Sequence, residues 1–266
     1  GGRTTASSGF ALHARHTGTM PEVKKVMLQS RLIKRLKALQ IDNFKDYIDF
    51  VFSPKGQNEI IHMMDVVSTN KTDFFREPAH FDILKEYIIP KIIEHKSNIK
   101  IWSAACSSGE EPYTISMVLH ELMFRYNFDF SILGTDISTQ VLAKAVEAVY
   151  PAYKVDIIPI EMKKKYLLKS KDHDAQLVKI AKHVRDKVTF QRLNFMDESY
   201  NIPETFDIIF CRNVLIYFDK QTQEAVINKL CLKLHKGGFF FLGHSESIIG
   251  MNVPLTQVKP TVYTRI

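Results

Sequence analysis

Polar side chains able to hold a nucleoside follow one another behind short apolar segments of this 266-residue chain. The first set is the run Ala104-Ala105-Cys106-Ser107-Ser108-Gly109-Glu110-Glu111-Pro112, whose small residues let a ligand approach the backbone closely. It holds one glycine and so does not match G-x-G-x-x-G; by itself it reads equally well as an ordinary strand-to-helix turn. The second is Asp136 in LGTDIS. An acid at the end of a second strand can accept hydrogen bonds from both ribose hydroxyls, and the competing reading is a helix N-cap before STQVLAKA. Asn194 and the pair Arg212-Asn213 occupy corresponding places behind two further apolar runs. Polar groups at successive strand ends point at one crevice, and four in order outweigh four unrelated caps. Glu111 adds an acid near the same edge. A fifth segment, Asn70-Lys71-Thr72-Asp73-Phe74-Phe75-Arg76-Glu77, sets paired phenylalanines beside Thr72 and Arg76. From composition alone these are two core rings and a solvated arginine.

Other chemistries lose ground. No G-x-S-x-G, HExxH or Walker A sequence occurs, which disfavours nucleophilic, zinc and nucleotide-hydrolysing enzymes. Cys106, Cys211 and Cys231 are widely spaced and form no CxxC pair, so neither a metal centre nor a disulfide framework is expected. Sparse cysteines suit a reducing compartment, the cytoplasm. No apolar run approaches the ~18–20 residues that span a bilayer, and the N-terminus lacks the apolar core of a signal peptide. The formal charge of +7 falls by two without Arg3 and Arg15. That modest excess permits an acidic partner without implying nucleic acid.

These side chains need elements to position them. Ile99–Ala105, Phe130–Thr135, Val188–Asn194, Phe206–Phe210 and Phe239–Leu242 read as strands, and Val262–Ile266 as a further pairing segment. Helical patterns at Pro112–Phe124, Gln140–Val149 and 220–235 (capped by Asp219) alternate with them, as in a doubly wound parallel α/β sheet. Residues 80–96 read as a helix interrupted near Pro90. Residues 151–186 are lysine-rich and break the rhythm as an inserted small subdomain, within which LVKIAKHV suits strand or helix. Before residue 80 the patterns are helical: 21–40, Phe44–Phe52 and Glu59–Val67. The expected organisation is an added leader over 1–19, an all-helical domain and linker over 20–79, and the α/β domain over 80–266. In the first helix Leu28, Leu32, Leu36 and Leu39 form an apolar stripe bordered by Lys24, Arg31 and Arg35, with Lys34 nearby. Such basic stripes are usually solvated faces; an acid-rich partner is the functional alternative.

Together, NKTDFFRE, IWSAACSSGEEPYTIS, LGTDIS, FDIIFCRNVLIYFDKQTQEAV and GGFFFLGHSES closely resemble the chemotaxis receptor methyltransferases, the CheR family. The helix VKKVMLQSRLIKRLKAL followed by Phe44 and Tyr47 is similar to that family's N-terminal domain. The resemblance runs from about Pro21 to the C-terminus. It implies a class I methyltransferase-like sheet and methyl transfer from S-adenosylmethionine to glutamate side chains on chemoreceptor cytoplasmic helices, by a monomer releasing S-adenosylhomocysteine. Cofactor contacts would fall on Asn70, Thr72, Arg76, Glu111, Asp136, Asn194, Phe195, Arg212 and Asn213, with Arg76 and Tyr217 near the transferring methyl. Receptor contacts would fall on Lys24, Arg31, Lys34 and Arg35 and on the inserted subdomain. Some family members carry a glycine-rich loop there that docks a receptor C-terminal peptide. Here residues 169–176 hold no glycine, and the resemblance does not extend to that tether.

The implied chemistry is consistent with these residues. A glutamate carboxylate, with a reference pKa of about 4.3, is already ionised at neutral pH and needs no strong general base. Competing readings are an NAD-dependent oxidoreductase, disfavoured by the missing G-x-G-x-x-G, and a nucleic-acid methyltransferase, disfavoured because Arg-Asn-Val-Leu stands where Asn/Asp-Pro-Pro-Tyr/Phe would. A non-catalytic receptor-docking module would keep the fold without turnover.

Overall fold

The computed structural model describes residues 22–67, 71–172 and 174–266. They divide into two compact units. The first contains the described residues up to 67 together with 137–140 and 194–198, and the second contains the remainder.

The first unit is built on α1 (Glu22–Leu39), α2 (Phe44–Val51) and α3 (Gln57–Val67). Asn43 starts α2 by accepting the Asp46 N–H at 2.9 Å, which serves one of the donors a helix leaves open at its first turn. Leu36, Tyr47, Val51 and Met63 form the core, one side chain or pair from each helix. Beside it lies a polar knot. Both oxygens of Glu59, which is 4% exposed, accept from the Arg35 guanidinium at 2.8 and 2.7 Å, and Oε1 also accepts from the Tyr47 hydroxyl. Burial pushes the Glu59 carboxyl upward. The hydrogen bonds from Arg35 and Tyr47 outweigh that and leave it below the usual value.

The second unit opens with α4 (Ala79–Ile83), runs through a π-helical turn at Leu84–Ile88 and continues as α5 (Ile89–Ile93). The interruption expected near Pro90 therefore lies just before it. The widened turn puts Pro90 in the first turn of α5, where no amide hydrogen is needed. Then come β1 (Asn98–Ala104), α6 (Glu110–Met123), β2 (Asp129–Asp136) and α7 (Thr139–Glu147). The insert follows as β3 (Val149–Pro151), α8 (Ile160–Tyr166), β4 (Leu167–Lys169), β5 (Leu177–Ile180) and α9 (Lys182–Arg185). The chain ends with β6 (Val188–Arg192), β7 (Phe206–Cys211), α10 (Lys220–Cys231), β8 (Leu234–Leu242), β9 (Leu255–Lys259) and β10 (Val262–Arg265).

The sheet order is β6-β2-β1-β7-β8-β10-β9. The first five strands are parallel, and β10 runs antiparallel between β8 and β9. Every residue of β7 is buried, as a central parallel strand covered on both faces requires. From β1 the chain winds outward through β2 to β6, then returns to β7 on the other side of β1. That reversal puts the topological switch point at the carboxyl ends of β1 and β7, the place where doubly wound sheets bind ligands. The insert forms its own antiparallel sheet, β3-β5-β4. LVKIAKHV is both elements in turn, strand through Ile180 and helix from Lys182. Val155, Ile158, Tyr166, Val178 and Ile180 join the main core, so the insert is packed rather than pendant.

Candidate active site

The turn after β1 is shaped by backbone conformations that side chains rarely adopt. Ala105 and Ser107 have φ of 65° and 50°, and Gly109, at φ 94°, opens α6. A Cβ on Gly109 would stand 2.9 Å from the Ala145 Cβ and 3.0 Å from the Tyr150 hydroxyl, so conformation and space both demand glycine. The curl brings the Ser107 N–H to Asp136 Oδ2 at 2.9 Å and the Cys106 N–H to Thr135 O at 2.8 Å, locking the ends of β1 and β2 together. From the insert, the Tyr150 hydroxyl donates to Ser108 O at 2.7 Å. Lys154 Nζ sits 2.6 Å from Oε1 of the fully buried Glu110, whose other oxygen accepts from Ser108 Oγ.

At the end of β7 the Arg212 side chain is 1% exposed and lies between two carboxylates, 3.3 Å from Glu77 Oε2 and 3.5 Å from Glu111 Oε2. Its Nη2 donates to Arg76 O, and its plane rests over the Phe81 ring. Its Nε and Nη1 are buried and make no hydrogen bond, Nη1 being the atom that faces Glu111. Glu111 accepts from Ser103 Oγ at 2.7 Å; burial pushes its carboxyl above the usual range despite the Arg212 charge. Burial pushes Glu77 upward too, but the hydrogen bond from Asn213 and the Arg212 charge hold it below.

Asn213 (φ 59°) donates from Nδ2 to Glu77 Oε1 at 3.1 Å. Its own N–H is held by Glu246, a buried acid that sequence reasoning did not single out. Glu246 Oε2 accepts from Asn213 at 2.9 Å and Gly243 at 2.7 Å, and Oε1 from Val214 at 2.9 Å and Leu215 at 2.8 Å. One carboxylate thus fixes the path of the segment that carries Arg212 and Asn213 and presents Tyr217, 49% exposed, on a short 3-10 turn. The motif GHSES contains the acid, but nothing in its spacing signals a partner some thirty positions earlier.

Arg76 sits between two residues in the left-handed region, Phe75 (φ 52°) and Glu77 (φ 55°). Non-glycine residues held there cost of order 1–3 kcal/mol each and persist where the surroundings over-determine them. Here Thr114 accepts the Phe75 N–H, and Glu77 is bound to Asn213 and to the His244 N–H. Among the described residues the Arg76 guanidinium makes one hydrogen bond, from Nη1 to Lys71 O at 3.0 Å.

Among the described residues, the thiols and the buried imidazole beside these groups are not poised to react. Cys106 and Cys211 are buried, and burial drives both thiols well above their usual value. His80 is buried and drawn down to about 4 by burial, with the Arg212 charge adding.

The second unit therefore brings Arg76, Glu111, Asp136, Arg212 and Asn213 into linked turns, with Thr72 joined to the insert through its carbonyl and Lys154. Asn194 and Phe195 group with the first unit. Strand β6 stops at Arg192, short of the expected Asn194, whose Oδ1 caps the Met196 N–H at 3.0 Å. Asn70, the Lys24 side chain and the leader lie outside the described residues. Of the residues expected to form the basic receptor-facing stripe, Arg35 is paired internally with Glu59, Arg31 donates to Val67 O at 2.8 Å, and Lys34 is exposed. Among the described residues, Glu77, His80 and His244 bring one potential ligand atom each within 4.8 Å of one another.

A family model described as "CheR methyltransferase, SAM binding domain" matches residues 70–264, and one described as "CheR methyltransferase, all-alpha domain" matches 12–68. The chain belongs to the CheR methyltransferase family. It is 44% identical over 253 residues to a chemotaxis protein methyltransferase of Borreliella burgdorferi, covering 92% of this chain and 88% of the relative. It is 34% identical to chemotaxis protein methyltransferase 2 of Pseudomonas aeruginosa (92% and 87% covered) and 32% to the Escherichia coli chemotaxis protein methyltransferase (90% and 82%). The doubly wound sheet of this CheR methyltransferase is thus a class I methyltransferase domain, and S-adenosylmethionine is its methyl donor. Among its described residues no helix is long and apolar enough to cross a membrane.

Proposed function

We propose that this CheR methyltransferase esterifies glutamate side chains on chemoreceptor cytoplasmic helices, the covalent step of sensory adaptation. The observation that carries this reading is the chain of positioning groups around Arg212, in which neither the described thiols nor the buried imidazole is poised to take a proton. The thiols are buried and raised, and the buried imidazole is not aimed at solvent. Such a site suits a nucleophile that arrives ionised, which a glutamate carboxylate is at neutral pH.

The residues present fit the cofactor. Asp136 is placed for the ribose hydroxyls. Arg212 Nε and Nη1, buried and without a hydrogen bond, suit the carboxylate of the methionine end, and Glu111 beside them suits its ammonium. Thr72 and Asn213 flank the same turns. Bound there, the cofactor supplies an electrophilic methyl on sulfonium sulfur. Arg76, held by one carbonyl, is free to fork onto the incoming glutamate and align its oxygen at near-attack distance. Its grip on that oxygen must stay modest, since holding the ground state too tightly slows transfer. Tyr217 lines the approach. Lys34 and Arg31 offer the basic face for an acid-rich receptor bundle.

Two measurements test this. Calorimetric titration with S-adenosylhomocysteine should saturate with the wild-type protein and fail with Asp136→Ala. Labelled methyl transferred to a receptor cytoplasmic fragment should leave as methanol in alkali, as an ester does. Label that resists alkali would overturn the carboxylate as acceptor.

A further inference from the structure

We propose that Glu77, His80 and His244 form a binding site for a divalent transition-metal ion of the zinc and cobalt class. The argument begins with a tautomer. The Thr261 hydroxyl lies 2.7 Å from both Pro260 O and His80 Nε2. When it donates to the carbonyl it accepts the Nε2 hydrogen, the tautomer in which Nδ1 is bare. That bare nitrogen faces Glu77 Oε2 at 3.4 Å. Both atoms are buried and neither has a hydrogen-bond partner. Two acceptors facing one another out of water repel, and a cation between them turns that repulsion into coordination.

The rest of the arrangement fits. Glu77 Oε1 is fixed by Asn213 Nδ2 at 3.1 Å and the His244 N–H at 3.2 Å, which directs Oε2 into the gap. The His244 ring stands 5.2 Å from that of His80 on the exposed side, and one ligand atom from each of the three residues lies within 4.8 Å of the others. A ligating histidine ordinarily donates its second ring N–H to an oxygen that sets its tautomer; Thr261 does this for His80. Two imidazoles and one carboxylate with an open fourth position suit zinc or cobalt rather than calcium or magnesium. The Arg212 guanidinium, 3.3 Å from the same Glu77 oxygen, opposes a dication and makes this site weaker than a closed four-ligand one. No activity is assigned to the ion.

The test uses the whole protein and two probes, zinc by calorimetry and cobalt by its visible absorption. Wild type should bind one equivalent of either, with cobalt bands of a nitrogen- and oxygen-ligated ion. His244→Ala changes an exposed ligand without disturbing the core, and Glu77→Gln keeps the shape while removing the charge. Each should weaken binding by about tenfold or more, and thermal unfolding without metal shows that each is folded. His95→Ala, on an exposed imidazole far from the cluster in sequence, should bind as wild type. Absence of saturable binding by wild type overturns the proposal, as does equal binding by His244→Ala.

Discussion

Removing the Glu246 carboxylate should loosen the catalytic segment more than any other single change outside the cofactor contacts. Its two oxygens accept four main-chain N–H groups, from Asn213, Val214, Leu215 and Gly243. In Glu246→Ala water can reach the half-buried Asn213 and Val214, whereas Leu215 and Gly243 are buried. Counting only those two, at about 1–3 kcal/mol for each buried donor left without an acceptor, gives a loss of about 2–6 kcal/mol. That is a large part of the ~5–15 kcal/mol a domain commands. The 3-10 turn bearing Tyr217 would then detach before the sheet unfolds. Glu246→Gln keeps one accepting oxygen and confronts the other two N–H groups with an amide that donates, so it should recover less than half of the loss. Denaturant unfolding and methyl-transfer kinetics check this, with kcat expected to fall at least tenfold. A Glu246→Ala protein within about 1 kcal/mol of wild type and with unchanged turnover would refute the reasoning.

Arg76→Ala should abolish most transfer while changing stability by less than about 0.5 kcal/mol, because its guanidinium makes a single hydrogen bond among the described residues, to Lys71 O; unchanged turnover would remove it from the reaction. Gly109→Ala should destabilise by about 1–3 kcal/mol through its positive φ alone, with further loss from the Ala145 contact and weakened binding of S-adenosylhomocysteine. Glu59 has a folded pKa below its unfolded value, so its stabilisation is complete above the unfolded pKa and disappears as pH falls through the folded one. Acid titration of stability should show this limb, and Glu59→Gln should flatten it. Lys34→Glu should slow methylation of an acidic receptor fragment, more at low salt than at high, where the charges are screened; equal rates at low salt would mark Lys34 as merely solvated.

Parts of this molecule that depend on local pattern were legible in the sequence. The apolar runs at Ile99, Phe130, Val188 and Phe206 become β1, β2, β6 and β7 within a residue or two, and Asp219 does cap α10, accepting the Thr222 N–H. Parts that depend on distant pairing were not. His235-Lys236-Gly237-Gly238 reads as a turn, yet β8 runs through it from Leu234 to Leu242. The pairing with β7 shifts register between Phe206 and Ile208, and Gly238 packs against Asp207 O where a Cβ would come within 2.9 Å. A glycine in a strand at such an approach marks a bulge rather than a stop. Strand β9 escaped notice because its exposed edge leaves only Leu255 buried. Asp136, Arg212 and Asn213 announced themselves by standing behind strands. Glu246, Lys154 and His244 act across gaps in sequence that no period marks.

The insert has a consequence for family diversity. Tyr150 holds Ser108 O, and Lys154 reaches both the Thr72 carbonyl and buried Glu110. The inserted lobe is therefore wired to the turn between β1 and α6. It cannot be exchanged as an independent cassette. A chimera that takes another relative's lobe inherits a different brace on Ser108 and Glu110 and will shift in cofactor affinity even if its receptor contacts are perfect. Grafts must therefore retain Tyr150 and Lys154 and also β5, whose Val178 is the register partner of Tyr150.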